Sequence, residues 1–294
     1  MNRSMRHKRM MYFGIFLCVA LIALILIRQC VRSAFFSSED RINILFYGEK
    51  PMYFSLERGG EIHYVTTFGA DSRTDVPGGY GTYRLGALGK LSLLEKNPDL
   101  FRRTFSRITG SMLDFYFYPE KDTIYFGSQE EIALPSLSTL FFSSSNASFF
   151  DRLYLWSQFA GKRRAAFEQV VIKKIRENDE ILLSDKTFQE QYLGYFYSKQ
   201  LREENKTVQI LYQHSYASAL TVSRIIDGEG MRVVDRDTEK DSQTGGCLVT
   251  ENTSSSFSLT TTQIAHFFGC RMASAKGSLS DIVVYLRDTE RDWE

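Results

Sequence analysis

Proline and glycine are sparse, at 5 and 20 of 294 residues, which excludes collagen-like and linker-dominated chains. Neither sign of charge is in excess. Lys and Arg number 36 against 35 Asp and Glu, a formal net charge of +1, so the chain is neither a strongly basic nucleic-acid binder nor an acidic disordered tail. The four histidines (His7, His63, His214, His266) are isolated and the four cysteines lack zinc spacing. GxSxG, P-loop and GxGxxG signatures do not follow any strand pattern, and HExxH does not occur. What the chain has is apolar area. Hydrophobic residues make up 43%, with 23 Phe and 16 Tyr, enough to build the core of one large domain or two ordinary ones.

One stretch concentrates that apolar character. Met10 to Ile27 reads MMYFGIFLCVALIALILI, without a charge or a strong hydrogen-bonding side chain. As a helix this spans about 27 Å, close to the hydrocarbon core of about 30 Å, with Arg9 and Arg28 placed to snorkel at the two ends. Arg3, Arg6, Lys8 and Arg9 precede it without an acid, so the expected topology is a single pass through the plasma membrane, N-terminus cytoplasmic and residues 28–294 outside. A cleaved signal peptide is the competing reading. The run is longer than an ordinary signal core, and a cut after Ala34 would put Arg32 where a small residue is wanted.

Ser33 to Arg41 reads as a short polar connector, followed by strands over Arg41–Gly48 and Glu61–Phe68. Gly69–Gly81 is loop chemistry, with Pro77 and three glycines after two aspartates. Leu85, Leu88, Leu91 and Leu94 mark a helix. A second opens at Asn97-Pro98 and stops at Gly110. MLDFYFYP and DTIYFG are adjacent strand candidates for a hairpin across Pro119–Lys121, and residues 127–148 are Ser-rich. Phe149–Phe159 and Thr187–Glu203 read as helices, the second capped by Asp185. Beyond Lys206, strands and helices alternate as two β-α-β units, which argues for a small α/β domain. The expected division is a cytoplasmic tail and anchor over 1–32, an α/β core over 41–200 and a second α/β domain over 206–290. Cys247 and Cys270 lie in that last part. They either pair, if it faces an oxidising compartment, or remain two small half-buried thiols, the plainer reading.

The one suggestive constellation is Asp71-Ser72-Arg73-Thr74-Asp75 with Arg84 and Lys90. Carboxylates at a strand end can hold Mg²⁺ through one or two oxygens, and guanidinium groups can clamp a diphosphate. Asp71 and Asp75 are thus candidate metal ligands, and Arg73, Arg84 and Lys90 candidate diphosphate ligands. A solvated turn is the plainer reading of the same residues. Likewise the basic knot Lys162-Arg163-Arg164 suits an anionic polymer or a lipid head group but is more simply a solvated helix end. The aromatic stripe from Phe101 to Phe126 suits a lipid chain but is more simply core.

Val208–Gln213, Ala217–Asp235, TTTQIAHFFG and Asp281–Asp288 resemble the LytR C-terminal domain of the LytR-CpsA-Psr family of cell-envelope proteins. It departs from that pattern at Gln213–Leu220, where the usual Asn-Gly and Gly-Leu-Ala are missing. More faintly, NILFYGEK, TTFGADSRTDVPGGYGTYRLGAL and ITGSMLDFYFY resemble segments of the family's core domain. The resemblance implies aspartates with Mg²⁺ and arginines holding a polyprenyl diphosphate, whose glycan passes to peptidoglycan or another wall acceptor. Asp71 sits where the family has its Asp, Ala70 where it has an Arg, and Arg84 can stand for its Lys. The family's Arg-Ser-Asp-Thr segment has no counterpart, because Gly48 to Glu61 is too short. Loss of such clamps costs about 2.7–4 kcal/mol of transition-state energy each. The resemblance therefore implies an anchored, diverged protein that binds envelope polymer or lipid-linked glycan, with an active Mg²⁺-dependent glycopolymer phosphotransferase and an anchored protein-interaction module as alternatives.

Overall fold

In the computed structural model, which describes residues 3–31, 33–36, 40–60, 62–127, 132–171, 175–177, 180–183, 193–240, 245–253, 256–277 and 279–294, the apolar run lies within one helix, α1 (Arg3–Val31). Tyr12–Val31 is long and apolar enough to cross a membrane, and none of it is buried among the described residues. A helix suits such an environment because every backbone group is satisfied within the segment. The connector after it is not loose. Ser33 to Phe36 form a turn in which the Ala34 N–H donates to Asp151 Oδ1 at 2.7 Å, and Arg58 Nη2 donates to the Ala34 and Phe35 carbonyls.

The rest is mixed α/β. Strands β1 (Arg41–Phe46), β2 (Met52–Glu57) and β3 (His63–Thr67) form an antiparallel meander. Next come β4 (Arg73–Val76), β5 (Gly81–Arg84), the helices α2 (Leu88–Leu94) and α3 (Asp99–Thr109), and β6 (Phe115–Tyr118). Then follow α4 (Leu137–Phe142), β7 (Ser144–Ser145), α5 (Phe149–Ala160) and β8 (Phe167–Gln169). The first sheet runs in the order β7-β6-β1-β2-β3-β8. All six residues of β1 are buried, because both faces of this sheet are covered. Leu45 packs under α2 and α3, while Ile42, Ile44 and Phe46 pack under α4 and α5. The period-two alternation in the sequence therefore separates two cores, not core from solvent.

Two expectations fail here, and the Ser-rich segment gains structure. Gly69–Gly81 is not all loop, since it contains β4, paired with β5, with β10 (Glu180–Leu182) on its other side and β9 (Ile175–Glu177) beyond. The turn between β4 and β5 holds Gly78, Gly79 and Gly81 at φ of 100°, 77° and 79°, a region that favours glycine. DTIYFG is not a strand, and β6 pairs instead with β1 in parallel and with β7. The Ser-rich segment contains α4, capped by Ser136. Of the expected helix over Thr187–Glu203, residues 187–192 and the Asp185 cap lie outside the described residues, residues 193–198 are turn and irregular chain and not helix, and α6 (Lys199–Glu204) covers only the end.

The distal part holds the expected strands and helices with two elements added, β14 and α9: β11 (Thr207–Tyr212), α7 (Tyr216–Gly228), β12 (Arg232–Thr238), β13 (Leu248–Glu251), α8 (Leu259–Phe268), β14 (Arg271–Ser274), β15 (Ile282–Tyr285) and α9 (Glu290–Trp293). Its sheet runs β12-β11-β15-β13-β14. Ser215 and Ser258 cap α7 and α8 by accepting the N3 amides, and Gly269 ends α8 at φ 69°. Val222, Ile225 and Ile226 of α7 and Ile264, Phe267 and Phe268 of α8 close one core over Val208, Ile210, Ile282 and Val284.

Cys247 and Cys270 are joined, Cα to Cα 4.5 Å, immediately before the paired β13 and β14. The plainer reading of two free thiols is thus replaced by a crosslink. Parallel pairing of Leu248 with Arg271 makes the preceding residues neighbours. The bond closes a loop with a sequence separation of 23. Cys247→Ser with Cys270→Ser should cost about 3 kcal/mol by loop entropy, or about 6–12 °C in Tm. Calorimetry of the wild-type protein under strong reductant should give the same shift.

Candidate anion-binding hairpin

The residues singled out in the sequence gather on the β4–β5 hairpin and the helix it feeds. In the antiparallel register, Arg73 lies directly opposite Arg84 and Asp75 opposite Thr82. Thr82 Oγ1 donates to Asp75 Oδ1 at 2.6 Å, and Arg107 Nη2 of α3 reaches Asp75 Oδ2 at 3.4 Å. Thr74 and Val76 point the other way and are buried. Strand alternation therefore puts Arg73, Asp75, Thr82 and Arg84 on one face. Two arginines on one face suit an anionic ligand, to which guanidinium groups give charge-assisted hydrogen bonds.

The segment after β5 is held by a residue the sequence did not flag. Tyr47, just past β1, donates its hydroxyl to the Leu85 carbonyl at 2.9 Å and accepts the Gly89 N–H at 2.8 Å, while its ring lies 4.6 Å from that of Phe101. Burial pushes its phenol well above the ordinary range. The Gly89 amide pulls it down and Tyr125 adds to the rise, and the group stays a neutral donor. Tyr47→Phe leaves one buried acceptor and one amide without their partner, at about 1–2 kcal/mol. We expect Tm to fall by about 3–6 °C and the Gly89 amide to exchange faster by NMR. Arg107, the second unflagged residue, lies on the polar face of α3 and carries no sequence signal for its contact with Asp75.

Asp71 is drawn away from this face. Its Oδ2 accepts the Gly127 N–H at 2.9 Å, and its own N–H reaches the Gly127 carbonyl at 3.4 Å. The same loop is pinched at Gly86, where a Cβ would stand 2.1 Å from the Tyr125 carbonyl oxygen and 3.1 Å from the Ala70 side chain. Ala70, where the resemblance expects an arginine, is buried there. Lys90 of α2 pairs with Asp122 at 3.4 Å, and both side chains are well exposed, so this pair contributes little.

These residues do not fit a divalent cation. Both Asp75 oxygens and one Asp71 oxygen are already engaged, and a guanidinium group sits on Asp75. Among the described residues no group of three His, Cys, Asp or Glu side chains converges as a metal site would require. In the aromatic stripe, Phe101, Phe105, Tyr116 and Phe117 are core, with Phe126 left exposed at its end. The Lys162-Arg163-Arg164 knot follows α5 at the surface. A cavity of about 640 Å³ lies elsewhere, between the end of α1, β6 and α8.

No protein-family model and no curated protein matches this chain. Solved structures do. The transcriptional regulator YvhJ from Bacillus subtilis is 11% identical, with a TM-score of 0.36 over 53% of this chain and 99% of its own. TagV from B. subtilis is 11% identical, with a TM-score of 0.34 over 53% and 98%. The LytR-CPS2A-psr family protein YwtF (TagT), with bound octaprenyl pyrophosphate lipid, is 10% identical, with a TM-score of 0.35 over 51% and 87%. The chain is thus similar, over about half its length, to LytR-CpsA-Psr proteins of known structure.

Proposed function

We propose that this protein is a single-pass, outward-facing cell-envelope protein that binds lipid-linked glycan or a related anionic envelope polymer, without transferring it, in wall glycopolymer assembly. Residues 1–32 are its cytoplasmic tail and anchor, 41–200 a diverged LytR-CpsA-Psr-like core, and 206–290 a LytR C-terminal-like domain. The observation that supports the reading is the Arg73–Arg84 cross-strand register, which puts two arginines on one face of the hairpin, where their charge-assisted donors suit a diphosphate. Lys90 stands one turn into α2 as a third cation, since its exposed pair with Asp122 is easily given up.

Three further observations support it. Tyr12–Val31 has the length and composition of an anchor. The Cys247–Cys270 bond belongs to an oxidising compartment, which agrees with an outward-facing bulk. Ala70 is sealed against Gly86, so the arginine that the sequence resemblance calls for has no room, and Asp71 and Asp75 are engaged by hydrogen bonds and Arg107; both features favour binding over transfer.

The full chain in detergent, titrated with a polyprenyl diphosphate, should bind it saturably and release no phosphate with or without Mg²⁺. Arg73→Ala and Arg84→Ala should each weaken binding by about tenfold or more, as read by calorimetry. Mg²⁺-dependent turnover lost in Asp71→Ala would instead establish the phosphotransferase. Absence of saturable binding would leave a plain anchored interaction module.

A further inference from the structure

A helix in a water-soluble domain normally turns one apolar face inward. Helix α5 turns apolar residues both ways. Tyr154, Leu155 and Phe159 face the core, while Phe149 and Trp156 are exposed, with the half-buried Leu153 between them on one stripe. Its two charged residues do not break that outward stripe. Asp151 is buried and accepts the Ala34 N–H. Arg152 turns under α4, donating to the Leu140 and Ser143 carbonyls, and lies over the Phe117 ring. Beside it, α4 presents Leu137 and Phe142, the latter 86% exposed, and the Phe141 ring stands 6.3 Å from that of Phe149.

The position of this face supplies its occupant. Helix α1 ends at Val31, and three residues later Ala34 is hydrogen-bonded to the first turn of α5. Phe35 packs on Tyr154 with ring centroids 5.1 Å apart, and Arg58 grips the Ala34 and Phe35 carbonyls while stacking on the same Tyr154 ring. Phe36, next in the chain, is itself 65% exposed. The aromatic face is therefore held against Ala34 and Phe35, a few residues from where the apolar span ends. Phe and Trp side chains at that depth partition to the boundary between lipid head groups and acyl chains.

We infer that Phe36, Leu137, Phe142, Phe149, Leu153 and Trp156 form a seat that lies in the outer surface of the lipid bilayer and fixes the tilt of the extracytoplasmic part against the membrane. This rests on the anchor reading given above. Seated in this way, the folded part has one orientation on the bilayer instead of swinging on a flexible stem.

The chain carries its own reporter, because it has 2 Trp and the other, Trp293, is buried. The full-length protein is reconstituted in vesicles of equal parts phosphatidylcholine and phosphatidylglycerol, with or without bromine atoms near the head-group end of the acyl chains. Trp156→Phe gives the Trp293 background. Bromination should quench the Trp156 emission by about twofold or more while leaving Trp293 unchanged. Phe142→Ser with Phe149→Ser, both at exposed positions, should abolish most of that quenching while the protein still floats with the vesicles. Flotation without quenching of Trp156 overturns the seat and leaves the anchor intact. Quenching that survives the double substitution also overturns it, as does a Trp156 environment that changes with protein concentration, which would mean a second copy covers the face. Failure to float overturns the anchor and the seat with it.

Discussion

Gly228→Val is expected to destabilise the protein by about 4 kcal/mol or more. Gly228 ends α7, and a Cβ there would stand 1.7 Å from the carbonyl oxygen of Gly110, which ends α3 in a left-handed conformation. Both parties are backbone, so no side chain can rotate aside. The two helices would have to separate by more than an ångström, and the contacts sewn around that point go with them. The Met112 N–H donates to Glu229 Oε2 at 2.7 Å, and Met112 itself is buried in the core of the distal sheet. Arg102 of α3 stacks on Phe267 of α8, and Arg103 pairs with Asp292 at 2.9 Å. We expect thermal unfolding of Gly228→Val to begin about 8–16 °C lower, followed by the distal sheet and the core separately. Gly161→Ala is the control, because a Cβ at Gly161 meets nothing within 4 Å and its φ is ordinary. A single cooperative transition near the wild-type temperature in Gly228→Val would show that the helix approach has little energetic consequence.

This contact illustrates what the sequence could and could not reveal. The helix over Asp99–Thr109 is legible from its Pro start, its Leu100, Phe101, Phe105 and Ile108 stripe and its Gly stop, because all of these are local. The role of Gly228 is not, because it depends on where another helix ends. The hairpin divides in the same way. The sequence identified the chemistry of Arg73, Asp75 and Arg84, but read the segment as loop, since Pro77 and the glycines of the turn hide a strand of only four residues. The pairing of Arg73 with Arg84 follows from register, which a short strand does not announce. Asp71 and Asp75 look like a pair in the sequence because they lie four residues apart. They part company because the Gly127 amide, more than fifty residues on, captures the first and Thr82 the second. The burial habit of free cysteines suggests two thiols at Cys247 and Cys270, whereas the parallel register of two strands joins them.

Glu290→Ala carries a comparable expectation for a different reason. The Glu290 side chain is buried and accepts three successive main-chain N–H groups, those of Gln213, His214 and Ser215, the latter two at 2.9 Å. These lie where β11 hands over to the cap of α7, within the stretch that departs from the LytR C-terminal pattern. A carboxylate at a helix N-terminus is favoured by the helix dipole and by the unpaired amides of the first turn. Hydrogen bonds to a charged group contribute about 1.5–3 kcal/mol each and do not add fully, so the loss should be about 4 kcal/mol. Glutamine does not rescue it, since its amide N–H₂ would replace one acceptor oxygen with a donor facing donors. We therefore expect Glu290→Gln to lose at least half as much as Glu290→Ala in urea unfolding. The damage should travel. Trp293, on the same short helix, packs on Phe267 and Phe268, and the Glu294 carbonyl accepts the Gly78 N–H in the β4–β5 turn at 3.0 Å. Faster exchange of the Gly78 amide in Glu290→Ala would show that this buried carboxylate, far along the chain, helps hold the hairpin that carries Arg73 and Arg84. An unchanged Gly78 amide would show that the hairpin holds its shape alone.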